Sequence, residues 1–193
     1  LSEYVVSALL KMSGFSEDEY VLYETEEICY GHQVFRGCKS RNFLPDGWQM
    51  ITLERLFKQS YGQSLNGSIY RIVDHESRLR FLVDQVERIP GLEDFGRYMC
   101  KLLTVDAFFL NEDRHTHNIA VLLDPAGQYH YCPYFDHGAA LLADTTLDYP
   151  MGVDIDKLIA SVRAKTFCDD FDEQLDVAEK LYGQQVKFVF SER

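Results

Sequence analysis

The chain has 193 residues and a formal net charge of −12. This length suffices for one domain with a sizeable hydrophobic core, which two lobes could share. The negative charge repels nucleic-acid phosphates and anionic membranes, which disfavours direct nucleic-acid binding. No apolar run is long enough to cross a bilayer, so we expect no membrane span. The five cysteines are scattered without a Cys-x-x-Cys pair, which favours a cytoplasmic location.

The first fifty residues predict one helix and two strands. Apolar residues recur at helical spacing up to Met12, and Gly14 follows as a stop. Two strand-like runs then flank Tyr30-Gly31-His32, which has the composition of a turn. The predicted elements of this part are a helix over 4–12, strands over 20–29 and 33–38, and a connector over 39–47.

The remainder is predicted to be mainly helical, with one β-hairpin inside it. Thr52 is placed to cap the first of these helices, and Asp124-Pro125-Ala126-Gly127 provides the hairpin turn. The predicted helices cover 52–59, 75–89, 92–110, 154–165 and 169–182, and the hairpin strands cover 119–123 and 128–133. We therefore predict an α+β fold with a small β-containing part, residues 1–50, and a larger helical part, residues 51–193.

A polar loop lies between the longest predicted helix and the first hairpin strand. Residues 111–118 read Asn-Glu-Asp-Arg-His-Thr-His-Asn and have apolar flanks on both sides, a place where catalytic groups are commonly carried. Asp113 and Asn118 are five residues apart, and Asp136 follows the hairpin that Asn118 opens. Because a hairpin returns the chain close to its start, Asp136 should lie beside Asn118. Asp106, on the preceding helix, is expected to support the loop by hydrogen-bonding its backbone.

These residue types suit one kind of chemistry when they are taken together. An Asn–Asp pair offers the hard oxygen ligands that Mg²⁺ prefers, with phosphates and water completing its coordination. Phosphoryl transfer requires such a metal site and a separate carboxylate that orients the attacking hydroxyl. The sequence therefore predicts a phosphotransferase site composed of Asp113, Asn118 and Asp136, although none of them is informative alone.

The same residues carry a family resemblance. Residues 113–119, Asp-Arg-His-Thr-His-Asn-Ile, resemble the catalytic loop of HipA-like serine/threonine kinases and the Asp-Arg-His-x-x-Asn of phosphatidylinositol kinases. Residues 134–138, Tyr-Phe-Asp-His-Gly, stand where these families place their second metal-binding aspartate, with His137 at the middle position of Asp-Phe-Gly. The resemblance is confined mainly to residues 92–142, and the HipA-like family is the better match.

The resemblance implies a protein-kinase-like fold and phosphoryl transfer from ATP with Mg²⁺. The acceptor it favours is a protein Ser or Thr, with a lipid headgroup or small molecule as the alternative, and it leaves room for an antitoxin-like partner. Asp113 would accept or orient the hydroxyl proton, while Asn118 and Asp136 would hold Mg²⁺ against the ATP phosphates. His115 would lie near the transferred phosphate. Arg114 would either neutralise phosphate charge or brace the loop through a salt bridge.

Two parts that such kinases need are not found in this sequence. Neither a glycine-rich loop nor the strand lysine that grips the ATP phosphates is present, and the chain begins at Leu1, inside a helical pattern and without Met. We therefore expect a fragment with an incomplete N-lobe whose upstream part is missing, and leave open whether it is active alone. Glu3 falls where the resemblance places the glutamate partner of that lysine, which makes it a candidate ATP-site residue.

Two alternatives stay open at this point. A metal-dependent hydrolase could use the His-x-His of His115 and His117 together with His130, Asp136 and His137, because imidazole suits Zn²⁺ or iron. That alternative leaves the spacing of the predicted phosphotransferase residues unexplained. A pseudokinase-like binding module would keep the fold and lack phosphoryl transfer.

Overall fold

The structure, a computed structural model, describes residues 1–189, and in that range the chain forms seven helices and five strands. The helices are α1 (Ser2–Lys11), α2 (Leu53–Tyr61), α3 (Leu65–Tyr70), α4 (His75–Arg88), α5 (Phe95–Phe109), α6 (Ile155–Ser161) and α7 (Phe171–Tyr182). The strands are β1 (Tyr23–Tyr30), β2 (Gln33–Ser40), β3 (Gln49–Thr52), β4 (Ala120–Leu123) and β5 (Tyr129–Tyr131). The predicted combination of small β-elements with a mainly helical remainder is confirmed.

The first sheet is the antiparallel hairpin of β1 and β2. Gly31 in its turn has a φ of 61°, a conformation that glycine adopts without a Cβ clash. The sequence predicts this hairpin, but β1 begins at Tyr23 and not at Tyr20. Tyr20 forms an isolated parallel bridge with Tyr134 instead. The bridge fastens the start of the hairpin to the chain just before Asp136.

The second sheet has the order β3-β4-β5 and is antiparallel throughout. The hairpin of β4 and β5 is the predicted one, and the Asp124 carboxylate accepts the backbone amides of Ala126 and Gln128 at 2.9 and 2.8 Å. Strand β3 is absent from the sequence prediction, because its four residues are extended only through pairing with the distant β4. The predicted cap at Thr52 is confirmed, since its Oγ1 accepts the Arg55 amide at 3.3 Å.

Helix α5 runs through the centre of the hydrophobic core. Phe95, Met99 and Leu103 on this helix are fully buried, and α7 packs closely against it. Gly96 permits this approach, because a Cβ at that position would overlap the ring of Tyr182. The sequence predicts α5 with its ends slightly too long. Within residues 1–189, no helix is both long and apolar enough to span a membrane.

Two helix predictions need correction. The helix predicted over 154–165 ends at Ser161, because the following residues leave the helix and contact the loop at 111–118. Helix α3 is missed altogether. It has six residues, Gly67 lies inside it, and it begins with a cap from Ser64, whose Oγ accepts the Gly67 amide at 3.0 Å. A helix of six residues is too short to show a periodic pattern.

Candidate functional site

The 111–118 loop is fixed at both of its ends. Leu110 terminates α5 in the left-handed conformation, with a φ of 54°, and the Asn111 amide donates to the Asp106 carbonyl at 2.8 Å. At the other end, the carbonyl of Ile119 accepts the Leu53 amide at 2.8 Å. The loop therefore leaves one core helix and enters one core strand with both junctions hydrogen-bonded.

A buried ion pair joins α5 to this loop. Arg114 donates from Nε to Asp106 Oδ2 at 2.8 Å and from Nη2 to Asp106 Oδ1 at 2.9 Å. The exposed fractions of the two side chains are 2% and 0%. Asn111 Nδ2 donates to the same carboxylate at 2.8 Å. Asp106 therefore supports the loop, but its carboxylate bonds the side chains of Arg114 and Asn111 and not the loop backbone as predicted.

Arg114 also connects the loop to the chain that follows β5. Its Nη1 donates to the carbonyl of Asn118 at 2.7 Å and to the carbonyl of Phe135 at 2.9 Å. The guanidinium is thus engaged by three parts of the chain and is withdrawn from solvent. The resemblance leaves two roles open for Arg114, and these contacts match the one in which Arg114 braces the loop through a salt bridge.

Asn118 and Asp113 face each other across the loop. Asn118 Nδ2 donates to the Asp113 carbonyl at 3.0 Å, so its amide oxygen stays available to a ligand. The Asp113 carboxylate is about half exposed. It is paired with Lys165 Nζ at 3.1 Å and lies 3.8 Å from His115 Nε2. The loop therefore presents one accessible carboxylate beside one amide oxygen.

Asp136 lies on the chain that Arg114 draws towards the loop. It adopts a φ of 60°, and its carbonyl accepts Asn111 Nδ2 at 3.5 Å. No residue in 1–189 donates a hydrogen bond to its carboxylate. The expected return of the hairpin thus brings Asp136 next to the loop, with a free pair of hard oxygens. Together with the amide oxygen of Asn118, this donor set fits Mg²⁺ by the chemistry of its atoms.

Helix α1 covers the Asp136-His137-Gly138 segment. Ser2 Oγ donates to the Gly138 carbonyl at 2.6 Å. Burial raises the pKa of Glu3, although a hydrogen bond from the His137 amide opposes that rise and the Asp136 charge adds to it. Glu3 Oε2 is buried and has no hydrogen-bond partner among the described residues. Glu3 therefore reaches the predicted metal-binding segment and retains an acceptor that suits a cation.

Tyr23 completes this contact, and sequence reasoning missed it. Burial raises the pKa of the Tyr23 hydroxyl, and the nearby Glu3 charge raises it further. The hydroxyl therefore stays protonated at neutral pH, beside Glu3. No local pattern pointed to Tyr23, since it is the first residue of an ordinary-looking strand.

A second buried acid, Glu54 on α2, holds the middle of the loop. Its Oε2 accepts Thr116 Oγ1 and the Asn66 amide, both at 2.9 Å. Burial alone would raise the pKa of Glu54, but hydrogen bonds from Asn66, Ser64 and Thr116 outweigh it and leave the pKa below its usual value. The carboxylate is therefore ionised at neutral pH and anchors Thr116. Sequence reasoning did not single out Glu54.

The chain between α6 and α7, which we call the 164–169 segment, lies against the same loop. Besides the ion pair of Lys165 with Asp113, Thr166 Oγ1 donates to the Arg114 carbonyl at 2.9 Å. Thr166 is buried and has a φ of 75°, a conformation that costs energy for a β-branched residue. Lys165 is thus a site residue that sequence reasoning missed, because it is remote in the chain from Asp113.

The histidines of the alternative hydrolase site are dispersed. His130 contacts Asp124 at 3.0 Å in the hairpin turn, and His117 is exposed. His137 is buried 4.0 Å from Asp106, and its pKa is far below the usual value because of burial and the nearby Arg114 charge. Over residues 1–189, these histidines do not gather with Asp136 into a metal-ligand group. The geometry favours the phosphotransferase arrangement over the hydrolase one.

Comparisons with known proteins support the fold. No protein-family model matches the chain, and no curated protein matches it in sequence. Among solved structures, the chain is similar to the Helicobacter pylori proinflammatory kinase CtkA, with a TM-score of 0.56 and 20% sequence identity. The match covers 84% of this chain and 56% of that chain, so this chain spans a little over half of the neighbour's length. The chain therefore has a kinase-like fold.

Proposed function

We propose that this chain carries the catalytic half of an ATP- and Mg²⁺-dependent phosphotransferase. The observation that supports the proposal is the link that Arg114 makes between the loop and the chain just before Asp136, through the carbonyls of Asn118 and Phe135. Asn118 Nδ2 in turn donates to the Asp113 carbonyl. Kinase-like folds use this order of residues for transfer to a hydroxyl. The likeness to a kinase structure adds to the proposal at the level of the fold.

In this proposal each residue has a separate task. Asp113 receives the proton of the acceptor hydroxyl as its oxygen bonds to the γ-phosphorus and ADP leaves. Lys165, 3.1 Å away, holds the carboxylate in place, and His115 lies beside it. Asn118 and Asp136 would hold Mg²⁺, which supplies charge neutralisation to the ATP phosphates when bound. Glu3 would accept a cation near those phosphates through its unpaired Oε2.

We further propose a HipA-like kinase that acts on protein Ser or Thr, on the strength of the 113–119 and 134–138 motifs. A lipid headgroup or a small molecule is the alternative acceptor. A cytoplasmic site of action and an antitoxin-like partner are parts of the same proposal. So is the division into a partial N-lobe, residues 1–50, and a C-lobe, residues 51–193.

The test is phosphoryl transfer by the full-length gene product, supplied with Mg²⁺ and γ-labelled ATP and offered protein, lipid and small-molecule acceptors. We expect label on one acceptor class, and a loss of at least about a hundredfold in Asp113→Ala. The matched control is Asp84→Ala, which removes an exposed aspartate from α4 and should keep parental activity. Equal rates in parent and Asp113→Ala would refute the assignment of Asp113.

A pseudokinase-like module is the second candidate, because Glu3 Oε2 has no lysine partner among the described residues. It predicts that the folded full-length product binds Mg²⁺-ATP and transfers no phosphate to any acceptor. The same assay, run beside a nucleotide-binding titration, separates the two candidates.

A further inference from the structure

A second group of potential metal ligands lies away from the predicted Mg²⁺ site. His75 is the first residue of α4, Cys168 lies in the 164–169 segment, and Glu173 is in the first turn of α7. The ligand atoms of these three side chains all lie within 4.8 Å of one another. His75 Nδ1 and Glu173 Oε1 are 2.7 Å apart. Two distant parts of the sequence thus bring three chemically different donors together.

The separation of these atoms is close to what a tetrahedral ion needs. Zinc-to-ligand bonds of about 2.0–2.3 Å place neighbouring ligand atoms roughly 3.5 Å apart. A group already within 4.8 Å can close to that spacing through side-chain rotation. His75 and Glu173 are partly exposed, with side-chain fractions of 30% and 55%, so both have room to turn.

The group also has an entrance and a candidate for a fourth ligand. A cavity of about 330 Å³, lined by His75, Cys168 and Asp169 among others, reaches the group from solvent. Cys168 itself is buried, with 3% of its surface exposed, and it lines this cavity. The Asp169 carboxylate lies 3.9 Å from Cys168 Sγ. Asp169 or a water molecule can therefore complete a fourfold site.

The two cations that line this cavity are engaged elsewhere. Arg78 donates from Nε to the Ile72 carbonyl at 2.6 Å and from Nη1 to the Phe167 carbonyl at 3.4 Å. Lys165 is paired with Asp113. The carboxylates of Asp169 and Glu173 have no lysine or arginine partner among the described residues, and the partner of Glu173 in an ion pair is the His75 imidazole.

We propose that His75, Cys168 and Glu173 form a binding site for a zinc-class divalent cation. Thiolate, imidazole and carboxylate together select Zn²⁺ among common cellular metals, whereas Mg²⁺ takes oxygen ligands. This site is therefore chemically distinct from the one proposed at Asn118 and Asp136, and it does not depend on phosphoryl transfer.

The position of the site gives it a structural consequence. Cys168 follows Lys165 and Thr166 closely in the chain, and both of those residues contact the 111–118 loop. A metal held by α4, α7 and Cys168 would fix the 164–169 segment at its far end. It would thereby stabilise the strained backbone of Thr166 and the position of Lys165 beside Asp113.

The test uses metal-free protein titrated with Co²⁺ alone and then with Zn²⁺ as competitor. We expect one equivalent of Co²⁺ to give a thiolate charge-transfer absorption and the intense visible bands of a tetrahedral site, and Zn²⁺ to displace it. Cys168→Ala should remove the thiolate absorption. Glu173→Gln changes an exposed side chain, so it should fold normally and bind Co²⁺ at least about tenfold more weakly.

Cys29→Ala is the matched control, because Cys29 is exposed on β1 and should leave the titration unchanged. Zn²⁺ should also raise the thermal midpoint of the parent and the control, and not that of Cys168→Ala. The absence of a thiolate absorption in the parent would overturn the proposal. So would equal Co²⁺ affinity in the parent and Glu173→Gln, which would mean that the metal binds adventitiously elsewhere.

Discussion

The ion pair of Asp106 with Arg114 is expected to be the most sensitive polar contact in the structure. Asp106→Ala removes two hydrogen bonds from Arg114 and one from Asn111, all between 2.8 and 2.9 Å. It leaves a guanidinium buried with only the carbonyls of Asn118 and Phe135 as partners. Removing one partner of a buried pair typically costs about 3–5 kcal/mol, a large part of the roughly 5–15 kcal/mol that stabilises a domain.

Urea unfolding, followed by both tryptophan fluorescence and far-ultraviolet circular dichroism, measures this cost. We expect the transition midpoint of Asp106→Ala to fall with little change in slope. Asp84→Ala, an exposed change of the same chemistry, should stay within about 0.5 kcal/mol of the parent. A loss below about 1 kcal/mol in Asp106→Ala would refute the view that the pair holds the loop.

A double variant separates the cost of losing the Asp106–Arg114 interaction from the cost of leaving a buried charge unpaired. Asp106→Ala with Arg114→Met removes the carboxylate and the guanidinium together, so no buried charge is left alone. We expect it to be less destabilised than the sum of the two single variants, because the two side chains share one interaction. Strict additivity would show that Asp106 and Arg114 contribute independently.

Three further predictions follow from individual contacts. Glu54→Gln should lower the free energy of unfolding by about 1–3 kcal/mol at pH 7. Because the folded-state pKa of Glu54 is lowered, the difference in stability between parent and variant should shrink as pH falls below about 4.5. Urea midpoints at pH 7 and pH 4 measure this difference, and a difference that stays constant would contradict the prediction. Gly96→Ala should lower the free energy of unfolding by about 1–3 kcal/mol, because its Cβ would overlap the Tyr182 ring. Gly67→Ala in α3 is the control: its Cβ would meet Ser64 Oγ only at 3.4 Å, so it should not destabilise the fold. Equal thermal midpoints for the two variants would count against the close packing of α5 on α7. Lys165→Ala should slow phosphoryl transfer by about tenfold or more and preserve ATP binding. Lys157→Ala, which changes an exposed lysine of α6, should match the parent. An unchanged transfer rate in Lys165→Ala would show that Lys165 does not belong to the site.

Much of the fold follows from local sequence patterns. The amphipathic spacing in α4 and α5 and the turn residues at Gly31 and Asp124 act over a few residues, so the sequence predicts those elements well. Strand β3 and helix α3 do not follow in this way. The first is extended only through pairing with β4, and the second is too short to show a period.

The same distinction between local patterns and distant contacts decides which residues of the candidate site can be predicted. The grouping of Asp136 with the 111–118 loop can be predicted, because one hairpin joins them and a hairpin returns the chain. Lys165, Tyr23 and Glu54 reach the site from distant parts of the chain, and tertiary packing alone brings them there. The brace made by Arg114 lies between these cases. Its residue type suggests a salt bridge, but only the fold shows that Asp106 is the partner.

The separation of metal–nucleotide binding from phosphoryl transfer tests the central claim most directly. Calorimetric titration with Mg²⁺-ATP, paired with the transfer assay, should be carried out on the full-length parent, Asp113→Ala and Asp136→Ala. We predict that Asp113→Ala loses transfer and binds Mg²⁺-ATP as the parent does, whereas Asp136→Ala loses transfer and binds at least about tenfold more weakly. Parental transfer and binding in both variants would contradict the assignment of this site.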